Sequence, residues 1–110
     1  MDIHLIIKNE LFNHIGRENA ITSTEISNML NINDDAGTRY ITRKLVKEAM
    51  EKYSLPILSC RNGFYLASNA SELCEYNKNM NARIQSMEER RDKVNKNYNT
   101  YMSQIKNNIA

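Results

Sequence analysis

The C-terminal segment, residues 70–110, contains neither glycine nor proline, the two residue types that most often end or kink a helix. Apolar and aromatic side chains recur along it in steps of three and four, as in an amphipathic helix. A continuous helix of about 36 residues within this segment is already roughly 54 Å long, too long to pack wholly on the core that one small domain can form. Asn69 can cap this helix, with Glu72 at the third helical position. We therefore expect a C-terminal helix, residues 69–110, that is separate from a compact domain, residues 1–68.

The apolar stripe of this helix predicts a binding surface, and three occupants fit it. A second copy of the chain would make the stripe the seam of a coiled-coil homodimer, which is the arrangement we expect. Its Met and Tyr content also suits a different protein partner, and folding back over the first helix would cover it as well. Tyr98 and Tyr101 break a clean heptad, and Arg90 and Arg91 interrupt the stripe. A break of the helix near residues 95–97 is an alternative to a continuous helix. The dimerisation residues of this hypothesis are Leu73, Met80, Ile84, Met87, Val94, Tyr101 and Ile105.

The N-terminal part of the chain carries the signals of two helices. Apolar residues in steps of three and four predict a first helix from Asp2 to Gly16. Thr22 and Glu25 have the spacing of a capping box, in which each side chain bonds the backbone amide of the other residue. This box predicts a short second helix that ends near Leu30.

A third helix and a hairpin follow. Asn33 or Asp34 can cap a helix that runs to about Lys52 after a tight turn, with a core face of Thr38, Ile41, Leu45 and Ala49. Two β-prone runs then flank Asn62 and Gly63, a pair typical of the type I′ turn of a β-hairpin. The expected fold class is mainly α with a small β-hairpin: a winged helix-turn-helix followed by a long C-terminal helix.

The charge of the chain is unevenly distributed and favours a nucleic-acid partner. Residues 36–67 carry six basic and two acidic side chains, a net +4, whereas residues 1–35 carry a net −4. On a helical projection, the basic side chains of the third helix lie opposite its apolar row. A basic stripe on one helix is also what an ordinary solvated face looks like. A long helix that enters a major groove nevertheless needs donors of this kind, so we predict double-stranded DNA as the partner.

The predicted DNA contacts come from the third helix and from the hairpin tip. Arg39 and Arg43 are assigned to base edges or adjacent phosphates, near the N-terminus of the recognition helix. Thr42, Lys44 and Lys47 are assigned to phosphates. Tyr40 on the helix and Arg61 and Asn62 on the hairpin tip complete the set.

Residues 22–67 resemble the winged helix-turn-helix proteins of bacteriophages and mobile elements of low-GC bacteria. The resemblance rests on the stretches TSTEISNMLNI, TRYITRKL and LPILSCRNGFYLAS. It implies sequence-specific DNA binding by a transcriptional regulator of phage or element genes. A replication accessory, or an adaptor that uses the same scaffold to bind a protein, is the alternative.

Other classes of function have little support in the sequence. There are only three glycines, and the two histidines, His4 and His14, share no face with a set of carboxylates, so we expect no enzyme. Cys60 and Cys74 lack metal-ligand spacing, so we expect no metal and no cofactor. The sequence contains no apolar run long enough to span a membrane, and its first residues lack the features of a secretory signal. We therefore expect a cytoplasmic protein with no membrane partner.

Overall fold

The structure is a computed structural model that describes residues 2–109, with side-chain surroundings through residue 107. It is mainly helical with one antiparallel hairpin and a long C-terminal helix, as expected from the sequence. The elements in chain order are α1 (Ile3–Leu11), a 3-10 turn (Arg17–Asn19), α2 (Ser23–Met29), α3 (Tyr40–Tyr53), β1 (Ile57–Cys60), β2 (Gly63–Leu66) and α4 (Ala70–Ile109).

The chain forms two units, Met1–Leu73 and Cys74–Ala110. The division falls just after the first turn of α4, slightly later than the boundary expected after residue 68. The first unit has one hydrophobic core to which α1, α2, α3 and the hairpin all contribute. The buried members of this core are Ile7, Leu11, Ile21, Ile26, Val46, Ala49, Leu55 and Leu66.

Helix α1 is shorter than the sequence predicts. It ends at Leu11, because the chain then turns to pair with β2: the Gly16 amide donates to the Leu66 carbonyl at 2.8 Å, and the Leu66 amide donates to the His14 carbonyl at 2.9 Å. Gly16 has a φ of 90°, a conformation that side chains disfavour. The two apolar residues in this link, Phe12 and Ile15, are consequently exposed rather than part of a helical core face.

A polar cluster fixes α1 against the C-terminal end of α3. Asp2 accepts hydrogen bonds from the α1 amides of His4 and Leu5, and from Lys52 Nζ at 2.8 Å and the Tyr53 hydroxyl at 2.6 Å. The bond from Lys52, followed by that from Tyr53, holds the pKa of Asp2 well below its usual range. One carboxylate therefore caps one helix and links it to another.

The capping box of α2 is confirmed. The Glu25 amide donates to the Thr22 hydroxyl oxygen at 3.1 Å, and the Thr22 amide donates to Glu25 Oε1 at 3.3 Å. Both flanking isoleucines, Ile21 and Ile26, are buried in the core. The start of α2 is therefore set by residues that are adjacent in sequence.

Helix α3 begins at Tyr40, so the predicted start at Asn33 or Asp34 is wrong. Asp34 still caps the helix, but from a distance: its carboxylate accepts from the amides of Ile41 and Thr42 at 3.2 and 2.8 Å. The intervening residues form an extended loop and a turn, and Arg39 adopts a left-handed conformation with φ 49°. The connection between α2 and α3 is therefore not the tight turn that was expected.

The core face of α3 is rotated relative to the prediction. Thr42, Val46 and Ala49 are the buried residues of the helix, whereas Ile41 is 44% exposed. Thr38 precedes the helix and is exposed, and Leu45 is half-buried at the edge of the core. Ala49 is thus the one member of the predicted row that lies at its centre.

The hairpin is present, but its turn is shifted by one residue. The register pairs Ile57 with Leu66 and Cys60 with Gly63, so Arg61 and Asn62 form the two-residue loop. Neither has a positive φ, so the predicted type I′ turn at Asn62 and Gly63 is wrong. Gly63 instead supplies the positive φ, 121°, at the first position of β2.

Helix α4 is capped as predicted. Asn69 Oδ1 accepts from the Glu72 amide at 2.8 Å, and the Glu72 carboxylate accepts from the amides of Ser68 and Arg17 at 3.1 and 3.2 Å. The helix continues to Ile109, and the predicted last residue, Ala110, lies outside the described residues. Among residues 74–107, no side chain is buried.

Candidate nucleic-acid interface

A groove lies between α3 and the hairpin and brings together the two groups of predicted DNA contacts. Arg43 and Lys47 line it from α3, and Arg61 and Asn62 line it from the hairpin tip. Its volume is about 440 Å³, and Val46, Met50 and Phe64 contribute apolar surface to its wall. Two groups of side chains that are distant in sequence therefore share one concave surface.

The groove carries positive charge that no acidic side chain in its lining neutralises. None of its lining residues is an Asp or a Glu. Within residues 2–109, the side chains of Arg43, Lys47 and Arg61 form no ion pair, whereas Lys52 on the same helix is paired with Asp2. Exposed cations without a carboxylate partner are free to bind an anion, and phosphate oxygens are acceptors of the right charge.

A second depression, also about 440 Å³, continues the basic surface around the outer side of α3. Thr38, Tyr40 and Lys44 line it together with Arg43 and Lys47, which border both depressions. Tyr40 is 67% exposed and stands at the first turn of the helix. The surface therefore extends from the hairpin tip across the exposed face of α3 to the N-terminal end of that helix.

Two predicted contact residues do not belong to this surface. Thr42 is completely buried, and its hydroxyl donates to Asp34 Oδ2 at 2.8 Å, so its assignment to DNA phosphates is wrong. Arg39 precedes the helix in a left-handed conformation, is half-buried, and directs Nη1 toward the Ser27 hydroxyl at 3.4 Å. The predicted row of Arg39, Arg43 and Lys47 therefore begins at Arg43.

The carboxylate of Asp34 holds the first turn of α3, which contributes to this basic surface. Burial alone would raise its pKa, but hydrogen bonds from the amide and the hydroxyl of Thr42, together with those from the amides of Ile41 and Asp35, lower the pKa to about 2. A negative charge at this end of α3 also complements the helix dipole. The first turn of α3, which includes Arg43, is thereby fixed by an ionised side chain.

The hairpin is held in place by its backbone contact with the segment before α2. Phe64 and Ile21 exchange two backbone hydrogen bonds, each 2.8 Å long. This pairing brings Gly63 so close to Ile21 that a Cβ atom on Gly63 would lie 2.0 Å from the Ile21 carbonyl oxygen. The position of Arg61 beside the groove therefore depends on a glycine two residues later.

Sequence reasoning missed several polar residues of the groove. Ser59 lines it from β1, and Thr22 and Ser23 line it from the start of α2. Ser59 could have been identified, because side chains alternate along a strand and its neighbour Leu58 is buried. For Thr22 and Ser23 no local signal exists: the role of Thr22 as the cap of α2 accounts for its identity, and nothing in the neighbouring sequence singles out Ser23.

Helix α4 carries the apolar stripe that was predicted for dimerisation. Met87 is 70% exposed, Val94 60% and Tyr101 58%, and Leu73 and Ile84 are also exposed. Met80 and Ile105 are half-exposed. The predicted seam residues of α4 are thus all exposed or half-exposed.

Compared with protein-family models, with curated proteins and with solved structures, the chain has no match. Among residues 2–109, no cluster of His, Cys, Asp and Glu has the arrangement of a metal site. Within the same residues, no helix combines the length and the apolar character needed to cross a membrane.

Proposed function

We propose that this chain is a sequence-specific DNA-binding protein of the winged helix-turn-helix type. The observation that carries the proposal is the groove in which Arg43 and Lys47 of α3 meet Arg61 of the hairpin. In this proposal, α3 enters the major groove of double-stranded DNA, and the hairpin acts as a wing along the adjacent backbone. Arg43 and Tyr40, near the start of α3, would face base edges, while Lys44, Lys47 and Arg61 would contact phosphates.

The protein would act as a homodimer and as a transcriptional regulator. A dimer supplies two copies of the basic surface, which matches the two half-sites of a pseudo-palindromic operator. A role in controlling phage or mobile-element genes is supported by the resemblance of residues 22–67 to such regulators. The exposed stripe of α4 supports the dimer.

The test is fluorescence anisotropy of a labelled duplex titrated with the protein across a salt series. For B-DNA, each phosphate contact contributes about 0.9 to the slope of log affinity against log salt. We expect Lys47→Ala to lower the magnitude of that slope by about 0.9, the contribution of one phosphate contact. Arg17→Ala is the matched control, because it removes one exposed cation from the same unit outside the groove. Equal slopes for Lys47→Ala, Arg17→Ala and the parent protein would overturn the assignment.

A second candidate function is a protein-binding adaptor built on the same scaffold, including one that assists replication. It is favoured by the Met and Tyr side chains that α4 exposes, of which Met87 is the most exposed. The two candidates differ in the same titration. Absence of DNA binding at low salt, together with a monomeric mass in solution, would favour the adaptor.

A further inference from the structure

The apolar stripe of α4 fits one continuous heptad register, in which eight of the ten seam positions are apolar or aromatic. With heptad positions named a to g, the a positions are residues 77, 84, 91, 98 and 105, and the d positions are residues 73, 80, 87, 94 and 101. Tyr98 and Tyr101 occupy a and d, so the interpretation that they disturb the heptad is wrong. More than four heptads in strict 3.5-residue period favour a left-handed supercoil with another helix of the same repeat.

The charges that flank this seam select the orientation of a second copy. Arg83 and Arg90 occupy g positions, and Glu88 occupies an e position. In a parallel dimer, a g residue lies beside the e residue five positions later in the partner, so Arg83 meets Glu88 of the partner subunit, and symmetry creates this pair twice. Both ion pairs are attractive.

The antiparallel alternative with the same overlap is electrostatically unfavourable. It would place Met80 opposite Tyr98 of the partner subunit, with the symmetry axis between Glu88 and Arg90. Glu88 would then lie beside Glu88 of the partner subunit, and Arg90 beside Arg90 of the partner subunit. Like charges in these positions oppose association.

From this complementarity we infer that α4 forms a parallel, in-register coiled coil with a second copy of the chain. The inference rests on the homodimer of the proposed function and specifies its geometry. Two seam positions are polar, Asn77 and Arg91, and they affect the register and the strength of the dimer. Asn77 at a favours one register, as a single buried Asn does in two-stranded coiled coils.

Arg91, also at a, limits the strength of association. In the parallel dimer it faces Arg91 of the partner subunit. Its guanidinium is paired with Asp92 of its own chain at 3.0 Å, and both side chains are about two-thirds exposed. This pairing draws the charge toward the edge of the seam, where water reaches it. The resulting dimer is weaker than an all-apolar seam would give, so its population depends on protein concentration.

Disulfide cross-linking tests the orientation directly. Cysteines are introduced singly as Met80→Cys or Tyr98→Cys in the full chain carrying Cys60→Ser and Cys74→Ser, with circular dichroism as the check on folding. The parallel register predicts that each variant forms a covalent dimer with itself, and that a mixture of the two yields no 80–98 product. An 80–98 product from the mixture, without self-cross-linking, would overturn the parallel orientation, and absence of any covalent dimer would overturn the seam.

Sedimentation equilibrium gives an independent readout with opposite signs for the two orientations. Glu88→Gln removes two attractive pairs from the parallel dimer, so we expect the dissociation constant of the dimer to rise roughly 3- to 5-fold. In the antiparallel dimer the same change relieves a repulsion and tightens association. Glu89→Gln is the matched control and should leave the dimer unchanged, because Glu89 occupies an outward-facing f position and its carboxylate accepts a hydrogen bond from Gln85 of the same helix. Combining Arg83→Glu with Glu88→Arg should restore parental association.

The outcome is separable from that of the DNA proposal. A duplex of one half-site, of about 10 base pairs, reports contacts of the first unit without requiring a dimer. If cross-linking fails while binding to the half-site still depends on Lys47, only the dimer geometry is wrong. If cross-linking succeeds and no duplex binds, the seam stands and the DNA interface is wrong.

Discussion

Replacement of Gly63 by alanine should destabilise the first unit severely, because this residue sits where the hairpin meets the segment before α2. Its φ of 121° disfavours any side chain, at a cost of about 1–3 kcal/mol. The new Cβ would also lie 2.0 Å from the Ile21 carbonyl oxygen and 2.5 Å from its carbon, so the backbone must separate. Separation removes two hydrogen bonds between Ile21 and Phe64, each contributing about 0.5–1.5 kcal/mol.

These contributions add to about 2–6 kcal/mol, a large part of the 5–15 kcal/mol that stabilises an ordinary domain. Urea denaturation followed by circular dichroism should show a midpoint lower by about 2 M, given a denaturant dependence of about 1–3 kcal/mol per M. NMR methyl signals of Leu58 and Leu66, both buried in the first unit, would report the same transition without a contribution from α4.

Gly37→Ala is the matched control for this experiment. Its φ is not in the positive range, and a Cβ there would meet only Asp35 Oδ1 at an ordinary 3.5 Å. We expect a change within about 1 kcal/mol, with the sign favouring stability because alanine restricts the unfolded chain. If Gly63→Ala unfolds at the same urea concentration as Gly37→Ala, the close approach between the hairpin and Ile21 is refuted.

Three further predictions concern α3. Val46→Ala removes two buried methyl groups and should lower the free energy of unfolding, measured with urea, by about 2–3 kcal/mol. Ile41→Ala, at an exposed position, should lower it by less than about 1 kcal/mol. Equal losses would contradict the rotated core face. Thr42→Val should lower the stability of the fold and leave the DNA affinity of the folded protein unchanged, because it removes the hydrogen bond to Asp34. Thr42→Ser keeps the hydroxyl, so its stability should be closer to that of the parent protein. A loss of affinity without a loss of stability would show that Thr42 contacts DNA after all. The pKa of Asp34 falls from 3.8 to about 2 on folding, so the ionised carboxylate stabilises the fold above pH 4 and this stabilisation is lost as the pH falls toward 2. Asp34→Asn should therefore flatten the acid denaturation profile between these pH values. An unchanged profile would exclude this role.

The parts of the fold that were predictable are those with local causes. The Thr22–Glu25 box and the Asn69 cap each involve residues within three positions, and both are present as expected. The uninterrupted helix of residues 70–109 likewise follows from the absence of helix breakers. In these segments, the hydrogen-bonding partners of the backbone can be read from neighbouring side chains.

The parts that were mispredicted have causes elsewhere in the chain. Helix α1 ends early because β2 pairs with the residues after it, and α3 starts late because Asp34 caps it across a loop. The hairpin turn is shifted because Gly63 must approach Ile21 closely. Local patterns do not encode these tertiary contacts, so an apolar residue such as Phe12 was counted into a helix that does not include it.

The candidate site shows the same division between local and tertiary information. The cations of α3 and of the hairpin were identified separately from residue type and spacing, and only the fold brings Arg43 and Arg61 into one groove. Arg39 was misplaced because a helical projection presumes helical dihedral angles, which this residue does not adopt.

The proposed contact residues and the residues that position them form two physically distinct sets. Arg43, Lys47 and Arg61 are exposed and unpaired within residues 2–109, so their removal leaves the core intact and should change affinity and its salt dependence. Thr42 and Gly63 act through buried hydrogen bonds and backbone geometry, so their replacement should change stability. A DNA-binding surface requires this separation, because cations that also held the fold together would already be neutralised by the carboxylates they bind.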